Sequence, residues 1–84
     1  MFDIKTDRDL IINVAKYKGF VYNKTYTSSN GRVTELNDDY IFIKIVNNNY
    51  LITTISCRSY FKINDSDIIE YIRNEKIKEL LYEE

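Results

Sequence analysis

The chain has 84 residues, with 12 basic and 13 acidic side chains, a formal net charge of -1, and no proline, tryptophan or histidine. Near-neutral charge gives neither the basic footprint of a polyanion binder nor the acidic one of a nucleic-acid mimic, and without histidine there is no histidine base, triad or metal ligand. The single cysteine, Cys57, excludes an internal disulfide and a cysteine-rich zinc site within one chain.

A chain of this length is expected to form one domain over residues 1–84, burying about 60–65% of its unfolded surface. Thirteen isoleucines dominate its apolar residues. Branching at Cβ suits a pleated surface and favours strands wherever the pattern is ambiguous. Nine asparagines and eight tyrosines alongside those isoleucines match strongly AT-biased coding, as in some viral, phage or low-GC bacterial genomes, and a phage or mobile-element origin is one expectation from that composition.

Residues Met1 to Lys5 suit a short edge strand or an arm. Their charges do not suit a signal peptide, and no apolar run reaches membrane length, so no membrane association and a cytoplasmic location are expected. From Asp7 or Arg8 to Lys18, Leu10, Ile11, Val14 and Ala15 recur at helical spacing and form one apolar stripe. Thr6 is the expected N-cap, and Gly19 is placed to stop the helix.

Gly19 to Thr27 has the aromatic and threonine content of a strand, with Phe20, Tyr22, Lys24 and Tyr26 on one side. Asn30-Gly31 is compatible with a type I′ turn, and Arg32 to Leu36 forms a returning strand. The clearest signal follows. Tyr40 to Val46 and Tyr50 to Cys57 are β-rich runs separated by Asn47-Asn48-Asn49, in which asparagine tolerates left-handed backbone angles; they read as a hairpin.

Within that hairpin Ile41, Ile43 and Ile45 form a uniform apolar row assigned to the core, which turns Tyr40, Phe42 and Lys44 outward. For the second strand the row Leu51, Ile55 and Cys57 is assigned inward, the alternative being a central strand with both faces partly covered. Tyr60 to Ile63 resembles another short strand. From about Asp65 to Tyr82 a second helix is expected, with Asp67 and Glu70 at capping-box spacing and Ile69, Ile72, Ile77 and Leu80 on its buried side. The expected fold is therefore α+β: a two-layer domain with an antiparallel sheet of three to five strands and both terminal helices on one face.

Motifs for chemistry are sparse. Asp38-Asp39 and the group Asp65, Asp67 and Glu70 are the compact carboxylate candidates, but turn formation and helix capping account for both, and calcium-loop spacing is absent. Gly19 and Gly31 are isolated and form no phosphate cradle. No metal, no cofactor and no enzymatic activity are expected. Cys57 reads as a structural thiol at the end of an apolar run, and the Glu83-Glu84 pair as a solvated end.

The remaining signal is aromatic. Tyr40, Phe42 and Lys44 on an uncovered sheet face, extended by Tyr22, Lys24 and Tyr26 and by Tyr60 and Lys62, would form a surface suited to a protein partner or a second copy of the chain. The expected function is a non-catalytic adaptor or inhibitor. The alternative uses the same residues to stack single-stranded nucleic acid, with Lys24, Lys44 and Lys62 on phosphates; the lack of an RNP-like motif and of net positive charge weighs against it.

Overall fold

In the computed structural model, which describes residues 1–82 with side-chain surroundings through Lys78, the first helix, α1, runs Arg8–Tyr17. Its buried residues Ile11, Ile12, Val14 and Ala15 form the expected stripe, widened by Ile12. The N-terminal turn is organised differently from the Thr6 cap expected. Asp7 occupies the cap position without a side-chain cap bond, while the Asp3 carboxylate accepts the N–H groups of Lys5 and Thr6 at 2.7 and 3.0 Å.

At the other end of α1, the Gly19 N–H donates to the Lys16 carbonyl and the Phe20 N–H to the Ala15 carbonyl, with Gly19 at φ +117. This is the Schellman arrangement, which satisfies two carbonyls that the helix end would leave orphaned. It also turns Phe20 back into the core, where it is buried.

Among the described residues, the five strands divide between two antiparallel sheets rather than lining up in one. Strands β1 (Thr25–Thr27) and β2 (Val33–Glu35) form a separate ribbon, so the strand expected from Gly19 is confined to its last three residues. Their turn is not type I′: only Gly31 has positive φ, while the Gly31 N–H donates to the Ser28 carbonyl and the Ser28 N–H to the Arg32 carbonyl. Ser29, Asn30 and Gly31 thus form a three-residue loop closed by a left-handed glycine. A 3-10 turn at Asp38–Tyr40 then delivers the chain to the main sheet, shortening the expected Tyr40 strand by two residues.

That sheet has the order β3-β4-β5, with β3 spanning Phe42–Val46, β4 Asn49–Thr53 and β5 Phe61–Asn64. Asn47 and Asn48 both have positive φ, 52° and 64°, and Val46 lies opposite Asn49. The hairpin therefore closes through a two-residue turn of the I′ kind, whose twist matches that of the strands.

Register follows from this turn. Ile45 faces Tyr50 and Ile43 faces Ile52, so the sheet face that carries half-buried Ile43 brings Tyr50 and Ile52 into the core; the assignment of Ile45 to the core is overturned, because near the end of edge strand β3 it stays 40% exposed. The assignment of Leu51 and Ile55 inward is overturned: Tyr50 and Ile52 are fully buried and Thr54 is buried with them, while Ile55 is exposed; Cys57, beyond the strand, does pack against the core. A three-residue turn would have set Leu51 opposite Ile45, and a slip of one residue moves every side chain to the other face.

The second helix, α2, runs Asp65–Tyr82. Its cap is a reciprocal pair between Asn64 and Asp67, each side chain accepting the other's backbone N–H at 3.0 Å, in place of the expected Asp67–Glu70 box. Ile68 is buried and Tyr71 and Ile72 pack against the core, whereas Ile69 and Ile77 are about half exposed. The expected row from Ile69 to Ile77 is thus replaced by its neighbour, with Ile72 common to both. Leu80 and the Glu83-Glu84 pair lie outside the residues whose side chains are described.

Helix α1 packs against α2 and β5, and α2 against β5. Ile11, Ile12, Val14, Ala15 and Ile68 from the helices meet Ile41, Tyr50, Ile52 and Ile63 from the sheet side in one core. The fold is α+β, with both terminal helices on the same face of the three-stranded sheet.

Candidate interaction face

Because both helices cover one face, the register leaves the other open. It carries Phe42, Lys44 and Val46 from β3, Asn49, Leu51 and Thr53 from β4, and Lys62 and Asn64 from β5. Tyr60, the outward neighbour of inward-facing Phe61, completes it: the Lys44 ammonium lies 4.5 Å from the Tyr60 ring centroid. Phe42 is 58% exposed and Tyr60 49%.

The register aligns Lys44, Leu51 and Lys62 in one row across the three strands, with Phe42 and Thr53 in the next. None of the residues on this face is acidic. A chain of net charge -1 thus presents two lysines among apolar side chains here. The Lys44 cation over an aromatic face keeps its ammonium near solvent and available for an anionic group.

The other residues expected on this surface separate from it. Tyr40 is exposed but belongs to the 3-10 turn preceding β3. Tyr22 packs on Phe20, with ring centroids 5.8 Å apart, and its hydroxyl donates to Asp38 at 2.7 Å. Lys24 lies 4.5 Å from the Tyr22 ring centroid, and Tyr26 sits in the β1-β2 ribbon opposite Thr34. Phe42, Lys44, Tyr60 and Lys62 are therefore brought together, and Tyr22, Lys24 and Tyr26 form no part of their sheet. Leu51 and Val46 join the face without having been expected there, and the length of the asparagine turn is the signal that locates Leu51.

Asp38, Asp67 and Glu70 have local partners. Asp38 accepts two bonds from the Lys16 ammonium at 2.8 Å and one from Tyr22, and these hold its carboxyl below the ordinary value. Burial, reinforced by Asp38, pushes the Tyr22 phenol up to about 12. Lys18 meets Glu70 at 2.9 Å and Asp67 at 3.5 Å, joining the end of α1 to the start of α2. No group of three or more His, Cys, Asp or Glu side chains among the described residues is placed to hold a metal ion. No helix among the described residues is long and apolar enough to cross a membrane.

Cys57 is half-buried and borders an open groove of about 350 Å³ shared with Phe20, Arg58 and Tyr60. Burial pushes its thiol up, but hydrogen bonds with Thr54, Thr53 and Ser56 outweigh that and leave it below its ordinary value. The Thr54 hydroxyl lies 3.4 Å from the sulfur and 2.9 Å from the Ser56 hydroxyl.

Set against protein-family models, curated proteins and solved structures, the chain matches none of them.

Proposed function

We propose that this chain is a non-catalytic binding module, an adaptor or an inhibitor, that docks on a protein partner through the open face of its three-stranded sheet. The observation carrying this reading is the set of exposed Phe42, Lys44, Tyr60 and Lys62 around half-buried Leu51, where apolar and aromatic area meets two cations and no carboxylate. Aromatic side chains give large contact area at low entropic cost, and flanking lysines favour an acidic surface on the partner. A phage or mobile-element origin belongs to the same proposal and rests on composition.

A second reading has one specific observation in its favour. The row Lys44, Leu51 and Lys62, next to Phe42 and Tyr60, sets phosphate-binding cations beside rings on which bases stack.

Affinity capture from the native host tests the first reading. The wild-type chain is expected to retain a protein partner that a Phe42→Ala/Tyr60→Ala variant, still folded by circular dichroism, does not. Equal retention by both removes the basis of the reading. A salt-sensitive association with labelled oligothymidylate, weakened by Lys44→Ala, moves the assignment to nucleic acid.

A further inference from the structure

Strand β3 is an edge of the sheet, hydrogen-bonded to β4 alone. Closure of the hairpin by a two-residue turn makes Val46 and Asn49 a hydrogen-bonded pair; alternation then gives the same role to Lys44 with Leu51 and to Phe42 with Thr53. The N–H and C=O groups of Ile43 and Ile45 consequently point away from β4. They join no backbone bond in the turns and loops of the described residues. Just before β3 the pattern ends: the Ile41 N–H donates to the Asp38 carbonyl, and its own carbonyl accepts from Arg8 at 2.9 Å.

The open stretch carries no proline and no bulge, and Phe42, Ile45 and Val46 are each at least 40% exposed. Its one charge is Lys44. Two copies of the chain pairing antiparallel with Ile43 opposite Ile45 would use every free backbone group but would place Lys44 directly against Lys44. Like charges opposite one another are destabilising, and a lysine on an exposed edge is a device that blocks such self-pairing.

From this charge pattern we infer that the free edge of β3 receives an extended segment of another protein, added as a fourth strand, with a carboxylate opposite Lys44 and apolar residues beside Phe42 and Val46. The backbone groups of Ile43 and Ile45 bind the segment's main chain, and Lys44 selects its central residue. This inference rests on the protein-binding reading and names the chemistry of the partner; it adds the sheet edge to the open face.

The test is an amide NMR titration of the full chain with blocked seven-residue peptides of alternating threonine and valine, carrying glutamate or lysine at the centre. The glutamate peptide is expected to shift the Ile43 and Ile45 amides and to bind about three- to tenfold more tightly than the lysine peptide. Lys44→Glu should invert that order, and N-methylation of the peptide amides facing Ile43 and Ile45 should abolish binding.

No shift at millimolar peptide, or shifts confined to Leu51, Tyr60 and Lys62, overturns the edge assignment while leaving docking on the open face to its own capture experiment. Sedimentation showing a dimer that protects the Ile43 and Ile45 amides also overturns it, because the edge would then belong to a second copy.

Discussion

The Tyr50 hydroxyl donates to the Asp65 carboxylate at 2.6 Å while accepting the Phe2 N–H at 2.7 Å. One phenol at the centre of the core thereby ties the N-terminal arm to the first residue of α2. Tyr50 is fully buried, and both its donor and acceptor capacities are used. Replacing it with phenylalanine keeps the ring but strands both partners. Tyr50→Phe is expected to cost about 2 kcal/mol, since the bond runs to a charged acceptor. The melting temperature should fall by roughly 8–16 °C, readable by calorimetry.

The same phenol sets the alkaline limit of stability. Burial, with the Asp65 hydrogen bond second, pushes Tyr50 from 10.0 up to about 12, and burial pushes Tyr22 to about 12 as well. With the folded values above the unfolded one, the stabilisation is full below about pH 10 and is lost as pH rises toward 12. Asp38 works in the opposite direction. Its folded value lies below 3.8, so its contribution is present above about pH 4 and is lost on acidification. Urea midpoints against pH should show both limbs, and the alkaline limb should be shallower in Tyr50→Phe.

Backbone angles make a separate prediction. Gly19 sits at φ +117 with open space where a side chain would project, so Gly19→Ala should cost about 1 kcal/mol through conformation alone. Asn48 has φ 64 as the second residue of a type I′ turn, where glycine is preferred. Asn48→Gly should therefore leave stability unchanged or raise it by about 0.5 kcal/mol, measured by denaturant unfolding.

The two sheet faces predict opposite responses to truncation. Ile52 is fully buried, and Ile52→Ala should cost about 2–5 kcal/mol by removing core packing. Phe42→Ser on the open face should change stability by only about 0.5 kcal/mol or less. Equal losses at both positions would show that something packs over the open face.

These contrasts also mark how far the sequence alone reaches. Helix α1 and the central hairpin were legible because Leu10 to Ala15 keep a clean helical period and Ile41, Ile43 and Ile45 a clean alternation. The inward row of β4 was not: Tyr50, Ile52 and Thr54 are no more apolar than Leu51, Thr53 and Ile55, and only the turn length decides between them. Three consecutive asparagines hide that length, because the third belongs to the strand. In α2, Ile68 and Ile69 are adjacent and each begins an apolar row, so tertiary packing selects the side that faces the core. Tyr22 looked like a member of the open face because nothing local announces that Asp38 lies within reach of its hydroxyl.

The open sheet face is tested most directly by lysine acetylation footprinting of the chain alone and bound to the protein it captures. Lys44 and Lys62 should lose reactivity on binding, while Lys24, beside Tyr22, keeps its own. Protection of Lys24 with Lys44 and Lys62 unchanged would place the partner elsewhere and contradict the account.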